Sequence, residues 1–171
     1  DICCGEGYYD TYSGELFGFD ISKEMVRMAS KSNPDGNYFV ANLSSIPIAD
    51  ESIDTAIHLF APFNGAEFSR LLKKDGPPYS VIPGENHLYQ MKQLVYDKPY
   101  KNDEKAPQCS QLNLISRTRV SENIIIPKED LKKLFAMTPY FYRTPAENRA
   151  RLDTVESLEI TVDFIILEYK K

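Results

Sequence analysis

Short apolar runs alternate with amphipathic segments through the first half of the chain, and this alternation restricts the possible folds more than any other feature. The apolar runs are strand-like and lie at 16–20, 38–41, 56–60 and 79–82. Ser22 is placed to cap a helix, and Asn64 is placed to cap a second helix. The apolar face of the first helix consists of Met25, Val26, Met28 and Ala29. Strands that alternate with helices are typical of a parallel sheet in an α/β domain.

The second half of the chain has fewer regular patterns. Helical apolar spacing occurs at 87–96 and again at 127–137, and 100–108 is a polar loop. Near the end of the chain, apolar residues recur at every second position, which predicts a strand with one buried face. The residues of this face are Leu158, Ile160, Val162, Phe164 and Ile166.

Composition narrows the class of protein. The chain has 171 residues, of which 42% are hydrophobic, so it is globular and long enough for one domain. No apolar run reaches the roughly 20 residues of a membrane span. The three cysteines fit neither a disulfide framework nor a zinc-ligand spacing, which favours the cytoplasm. The formal net charge of −5 is atypical of a nucleic-acid binder.

The start of the chain predicts missing segments. No apolar strand precedes Asp1, so we expect the first strand of the domain to be absent. The stretch 8–16 is also too short for a helix and its loops, because a parallel crossover needs at least about 10–12 residues. We therefore expect a single domain over 1–171 that is truncated at its N-terminus and has an internal gap near 8–16.

A glycine-containing loop and a later acid predict a nucleoside site. Gly5 and Gly7 follow the expected end of a strand, and they allow a ligand to approach the backbone closely. Asp20 ends the next strand, where a carboxylate accepts hydrogen bonds from ribose hydroxyls. No third glycine for a pyrophosphate follows, which suits S-adenosylmethionine. The alternative is a purely structural turn.

Asn42 and Leu43 follow the run at 38–41, which is the third strand when the absent first strand is counted. A polar side chain beside an apolar one at this position suits the edge and the face of an adenine. For Asn42, a role as a loop-capping residue is an equally good interpretation.

Several motifs, in the same order along the chain, resemble the bacterial large-subunit ribosomal RNA guanine-N1 methyltransferases. The first two, at 1–9 and 17–23, are general to class I methyltransferases. The others are Phe60-Ala61-Pro62, Pro83-Gly84-Glu85-Asn86-His87-Leu88 and Met137-Thr138-Pro139. The resemblance implies a Rossmann-like, doubly wound, mostly parallel sheet with an antiparallel C-terminal strand. One departure is Cys3, which stands where the family has the first glycine of the loop.

The resemblance also implies an activity and a set of binding residues. The activity is methyl transfer from S-adenosylmethionine to N1 of a guanine in a ribosomal RNA hairpin. Members carry an N-terminal four-cysteine zinc module, whereas this chain has no predicted metal ligands. The predicted cofactor-binding residues are Asp1, Gly5, Glu6, Gly7, Tyr9, Asp20, Ile21, Asn42, Leu43 and His87.

The guanine pocket is predicted after the run at 56–60, which is the fourth strand on the same count. In the class I fold this position lies beside the methyl group. Phe60, Pro62 and Asn64 are its candidates, with Phe60 or Phe63 stacking on an unstacked base. The alternative makes both phenylalanines core residues and Asn64 a helix cap. For His87 the alternative is a surface histidine, and His58 is predicted to be a hydrogen-bonded core histidine. No general base is identified.

Several basic side chains are candidates for contact with RNA phosphates. The alternative is that they form a solvated surface. They are Lys98, Lys101, Lys105, Arg143, Arg149 and Arg151. The resemblance further makes a homodimer an expectation. Two alternative functions stay open: a class I methyltransferase acting on a small molecule, and a non-catalytic module with the same fold.

Overall fold

The computed structural model describes residues 1–11 and 14–171, which form two compact units. The first unit consists of Asp1–Ile82, Ala106–Thr118 and Ile166–Lys171, and the second of Pro83–Lys105 and Arg119–Ile165. In the described parts of the chain, no helix is both long and apolar enough to cross a membrane. The gap that we expected near 8–16 includes residues 12 and 13, which lie outside the described residues.

The first unit contains the predicted parallel strands. They are β1 (Phe17–Asp20), β2 (Asn37–Val40), β3 (Ala56–Leu59) and β4 (Pro78–Pro83). β1 pairs with β2 and β3 pairs with β4, both in parallel. Ile2 occupies the strand position between the two pairs, because it forms parallel bridges to both Phe19 and His58.

The two helices of the first unit begin at the predicted caps. Helix α1 is Lys23–Ser32, and the Ser22 side chain accepts a hydrogen bond from the Met25 amide. Helix α2 is Gly65–Leu71, and Asn64 caps it by accepting from the Glu67 amide at 3.3 Å. Each cap satisfies an amide that the helix itself leaves without a partner. Both capping predictions are confirmed.

The second unit is mainly helical around its own apolar core. Its helices are α3 (Tyr89–Val95), α4 (Lys128–Ala136) and α5 (Ala146–Arg149), with 3₁₀ turns at Phe141–Arg143 and Ala150–Thr154. The helices predicted at 87–96 and 127–137 are thus confirmed, with shorter bounds. The buried core is Leu88, Met91, Val95, Leu131, Phe135, Leu152 and Ile160.

The chain also has two long strands, β5 (Asn113–Pro127), which comes between α3 and α4, and β6 (Ser157–Lys170), which comes last. They complete a four-stranded sheet of order β3-β4-β6-β5. The sheet is mostly parallel with an antiparallel strand, which confirms the predicted fold class. The predicted buried face of β6 is wrong beyond Ile160, because Asp163, Ile165, Leu167 and Tyr169 are the buried residues there.

Candidate active site

The loop Cys3–Gly7, here called the glycine loop, follows the Ile2 strand position. Its backbone is left-handed at Cys3 (φ 57°), Gly5 (φ 56°) and Gly7 (φ 72°). The Cys4 amide donates to the Phe19 carbonyl at 2.9 Å, which ties the loop to β1. A Cβ built on Gly5 would meet no atom within 4 Å, so the backbone there is open to a ligand.

Asp20 joins the glycine loop to the end of β1. Its Oδ2 accepts from the Gly5 amide at 3.1 Å, and its Oδ1 accepts from the Ser22 amide at 2.9 Å. The structure therefore brings together the two features on which the nucleoside prediction depends. Each carboxylate oxygen has more than one lone pair, so Asp20 keeps capacity for ribose hydroxyls.

Cys3 adopts the backbone angle that a glycine would take most easily. A left-handed angle costs an L-residue roughly 1–2 kcal/mol, so the loop accommodates the cysteine at a cost. Burial and the nearby Asp20 carboxylate raise the pKa of the Cys3 thiol. Burial and the Asp10 carboxylate likewise raise the pKa of Cys4 to about 11. Both cysteines are therefore neutral thiols at neutral pH.

Asp10 lies close to the glycine loop, and no sequence motif marks it. It is 5% exposed, and its Oδ2 accepts from the Tyr38 hydroxyl at 2.7 Å. A Cβ on Gly7 would come within 2.9 Å of the same oxygen. Burial and this bond raise the pKa of Tyr38. Among the described residues, the buried Asp10 Oδ1 has no hydrogen-bond partner.

Three predicted cofactor residues have exposed side chains near the glycine loop and β1. Glu6 is exposed, Tyr9 is 56% exposed, and Ile21 is 72% exposed, whereas Leu43, after β2, is half-buried. The Tyr9 ring contacts that of Tyr8 edge to face, with centroids 5.0 Å apart. Asp1 is half-buried, and its carbonyl accepts from the Phe19 amide at 3.3 Å. Their contact with the cofactor stays a prediction.

Asn42 and Asn64 both have capping roles. The Asn42 Oδ1 accepts from the Ser44 amide at 2.9 Å, which is an Asx turn. The Asn64 Nδ2 donates to the Leu43 carbonyl at 3.2 Å while its Oδ1 caps α2. Asn64 thus connects the guanine-pocket segment to the predicted adenine segment. Direct ligand contact by either asparagine stays a prediction.

The two phenylalanines of the pocket segment have different environments. Phe60 is 50% exposed and left-handed (φ 54°), so its ring remains the candidate for stacking on a base. Phe63 instead packs in the core, with its ring centroid 5.1 Å from Phe68 and 5.4 Å from Tyr169. Pro62 is exposed, and its carbonyl is bonded to the ring of His58.

His58 is the hydrogen-bonded core histidine that the sequence predicted. It is 3% exposed, and both ring nitrogens have partners at 2.9 Å: Ser80 Oγ and the Pro62 carbonyl. Because a carbonyl can only accept, Nε2 carries the proton and Nδ1 accepts from the serine. Burial lowers the pKa of His58, so the ring is neutral at neutral pH.

His87 is half-buried in the second unit, before α3. Its Nδ1 accepts from the Asp163 amide at 3.3 Å, and its ring centroid lies 4.7 Å from that of Phe164. Burial is the main reason why the pKa of His87 is lowered to about 4. The side chain is therefore a neutral imidazole, not the surface histidine of the alternative. Its role at the cofactor stays a prediction.

Comparison with known proteins agrees with these features. Residues 1–77 match the family described as Methyltransferase domain. A Bacillus subtilis protein with the provisional name 23S rRNA (guanine-N1)-methyltransferase YxjB is 32% identical over 98% of this chain and 64% of its own length. The 23S rRNA (guanine(748)-N1)-methyltransferase of Streptomyces fradiae is 24% identical over 86% of this chain and 56% of its own length.

A solved structure shows the same fold. It is a Bacillus halodurans protein, provisionally named as a methyltransferase, with a TM-score of 0.64 and 14% identity. The match covers 100% of this chain and 90% of the other.

Fold, glycine loop and the match of residues 1–77 together give this chain the class I methyltransferase fold, and they imply S-adenosylmethionine as its cofactor. Within that class, the chain is similar along its length to the 23S rRNA (guanine-N1)-methyltransferases, as its motifs predicted. The chain spans 64% and 56% of the lengths of the two relatives named above. In the described part of the chain, no group of three or more His, Cys, Asp or Glu side chains is arranged to hold a metal ion.

Proposed function

We propose that this protein transfers a methyl group from S-adenosylmethionine to N1 of a guanine in a hairpin of large-subunit ribosomal RNA. The observation that carries the proposal is the pairing of the open Gly5 backbone with the Asp20 carboxylate, 3.1 Å away. The choice of guanine N1 is supported by the names of the relatives and by the motifs shared with that family.

The residues of the glycine loop fit S-adenosylmethionine. Asp20 has accepting capacity for the ribose hydroxyls, and the open Gly5 backbone leaves room for the ligand. Glu6 is exposed and is assigned to the methionine amino group, while Asn42 and Leu43 are assigned to the adenine. Asp1, Gly7, Tyr9 and Ile21 complete the set on the loop and β1. When bound, S-adenosylmethionine supplies an electrophilic methyl group on a sulfonium centre.

The acceptor base is assigned to the segment after β3. Phe60, with its half-exposed ring, is the residue that stacks on the guanine, and stacking holds the base for alignment with the methyl donor. Pro62 and Asn64 shape the rest of this segment. His87 is a neutral imidazole whose Nδ1 accepts from a backbone amide, so its ring proton is on Nε2. It is therefore assigned as a hydrogen-bond donor rather than as the base for the guanine N1 proton.

Among the predicted RNA-contacting cations, Arg143 and Arg149 have the most suitable surroundings. Lys101 is paired with Glu85 at 2.9 Å and Arg151 with Asp97 at 2.8 Å, so their charges are partly neutralised. Arg143 is exposed beside Tyr142, whose side chain is 88% exposed. Arg149 lies 4.6 Å from the Phe141 ring centroid, beside a 320 Å³ pocket. Exposed aromatic rings and cations are what unpaired bases bind.

The test supplies the purified protein with S-adenosylmethionine labelled at the methyl group and with hairpin fragments of 23S rRNA. Labelled RNA should block primer extension at one guanine, because an N1-methyl group prevents base pairing. Asp20→Ala should weaken binding of S-adenosylmethionine at least about tenfold in calorimetry, because it removes a charged acceptor. Asp35→Ala, which changes an exposed loop acid, is the matched control and should bind like the parent.

Three results would contradict the proposal in different ways. Labelled RNA without a block at any guanine would exclude guanine N1. Unlabelled RNA together with a labelled small molecule from a cell extract would favour the small-molecule alternative. No binding of S-adenosylmethionine at all would leave only the non-catalytic alternative.

A further inference from the structure

Lys92 is a buried ammonium in helix α3. The residue is 1% exposed, and burial lowers the pKa of its ammonium group. In the described part of the chain its partners include no carboxylate: they are Asn102 Oδ1 at 2.6 Å and the rings of Tyr100 and Tyr140, with centroids at 4.3 and 4.6 Å. A buried charge is costly to keep, so this arrangement requires an explanation beyond packing.

The ammonium determines which way the Asn102 amide points. Lys92 can only donate, and the Tyr140 hydroxyl also donates to Asn102 Oδ1, at 3.0 Å. Burial raises the pKa of Tyr140 to about 12, so this hydroxyl keeps its proton. With Oδ1 bound by two donors, the Asn102 Nδ2 must face the opposite side.

The Nδ2 of Asn102 holds the segment that contains His87. It donates to the Gly84 carbonyl at 2.9 Å and to the His87 carbonyl at 3.0 Å. The backbone N–H of Asn102 adds a third bond, to the Glu85 carbonyl at 3.1 Å. Asn102 therefore binds three of the four carbonyls of Gly84–His87, two of them through the side chain that Lys92 orients.

Asp163 fixes the same segment from β6. It is fully buried and forms a two-pronged ion pair with Arg119. Its Oδ2 accepts from the Asn86 amide at 3.0 Å, and its own amide donates to His87 Nδ1. Gly84 leaves no space on this side, because a Cβ there would lie 2.4 Å from the Asp163 carboxyl carbon. The segment Gly84–His87 is thus held between Asn102 and Asp163.

We propose that Lys92 is a positioning residue that acts through Asn102 to hold His87 in place for methyl transfer. This inference rests on the proposed function, in which His87 belongs to the site. Lys92 touches neither ligand in this account: it orients the amide that orients the backbone of His87.

The electrostatics of the cluster support the same role. Burial is the main cause of the low pKa of His87. The Asp163 carboxylate raises this pKa, and the Lys92 ammonium lowers it. Arg119 forms an ion pair with Asp163 and so offsets the charge of that carboxylate. Lys92 therefore helps to keep the imidazole neutral as well as in place.

The test uses Lys92→Met, which keeps an unbranched side chain one heavy atom shorter than lysine and removes its charge. Since none of the partners named above for Lys92 is a carboxylate, the substitution leaves no buried counter-charge uncompensated, and the variant should fold. Asn102→Asp is a second variant, which keeps an acceptor for Lys92 but loses both Nδ2 bonds. Lys133→Met changes an exposed lysine of α4 and is the matched control.

The first readout is ¹⁵N NMR of the imidazoles, because the chain has only two histidines. Both Lys92→Met and Asn102→Asp should shift the His87 nitrogens, and Lys92→Met should raise the His87 pKa. His58 lies in the first unit and should not change in either variant. The second readout is methyl transfer, where Lys92→Met should lower kcat about tenfold with KM for S-adenosylmethionine within about twofold. Lys133→Met should match the parent in both readouts.

Unchanged His87 signals in Lys92→Met would overturn the proposal, as would shifted signals with an unchanged kcat. A parent protein that methylates nothing while its His87 signals still depend on Lys92 would instead contradict the proposed function and leave the Lys92–Asn102 link intact. The two failures are therefore distinguishable.

Discussion

Cys3 holds a left-handed backbone angle of φ 57° at the start of the glycine loop. For an L-residue this angle costs roughly 1–2 kcal/mol, whereas glycine adopts it without that penalty. Glycine at this position is what the resemblance predicts. Replacement of Cys3 by glycine should therefore remove this backbone cost.

Cys3→Gly should raise the free energy of unfolding by about 0.5 kcal/mol, because relief of the angle exceeds the extra chain entropy of glycine. Urea denaturation measures the change. Cys4→Gly is the matched control: Cys4 is not among the left-handed residues, so this change should lower stability by about 1 kcal/mol. Equal effects of the two substitutions would contradict the assignment of strain to Cys3.

Gly84 is constrained by space rather than by a backbone angle. Gly84→Ala would place a Cβ 2.4–2.6 Å from three atoms of the Asp163 carboxyl group. We expect a loss of about 3 kcal/mol in unfolding free energy, because overpacking here disturbs a buried ion pair. A double-mutant cycle with Asp163→Ala tests the cause. Most of the cost should disappear when the carboxyl group is absent, and a cost that persists would locate the clash elsewhere.

At the scale of elements, Asn64 connects helix α2 to the segment after β2. One end of its amide caps the helix, and the other donates to the Leu43 carbonyl at 3.2 Å. The position of the predicted adenine segment therefore depends on how α2 begins.

Asn64→Asp should separate these two roles, because aspartate caps a helix well but cannot donate to Leu43. We expect Asn64→Asp to cost about 1 kcal/mol and Asn64→Ala about 2 kcal/mol, since alanine loses both bonds. Calorimetry should show S-adenosylmethionine bound about threefold more weakly by Asn64→Asp, in line with part of one lost hydrogen bond. Affinity equal to that of the parent would show that the adenine segment does not depend on Asn64.

The sequence predicted the elements whose signals are local. The caps Ser22 and Asn64 determine where α1 and α2 begin, and short apolar runs marked β1 to β4. Strand β5 was missed because its apolar residues, such as Ile115 and Val120, are exposed on an edge strand and do not alternate cleanly. The buried face of β6 was wrong after Ile160, because Asp163 is buried by a non-local ion pair with Arg119.

Prediction of the site followed the same division between local and non-local signals. The proximity of Gly5 and Asp20 follows from loop and strand order alone, so the sequence was sufficient. Asp10, Lys92 and Asn102 carry no motif, and their roles depend on partners far along the chain or on burial. Such residues become recognisable only when the side chains are placed.

At the scale of the whole molecule, each unit contains one of the two histidines, and both imidazoles are neutral for the same reason. Burial lowers the pKa of His58 in the first unit and lowers that of His87 in the second to about 4. An unfolded chain has histidine pKa values near 6.5. As the pH falls below about 6.5, the unfolded chain therefore binds protons that the folded protein does not.

The contribution of these histidines to stability should be complete above about pH 6.5 and should decrease as the pH falls towards 4. Urea denaturation at several pH values between 7 and 4.5 measures this decrease. His87→Gln should make it shallower, because glutamine cannot take up the proton that favours the unfolded chain. Lys133→Met changes no group that titrates in this range, so it should keep the slope of the parent. A His87→Gln protein with that same slope would show that His87 titrates normally in the fold, contrary to its burial beside Phe164 and Lys92.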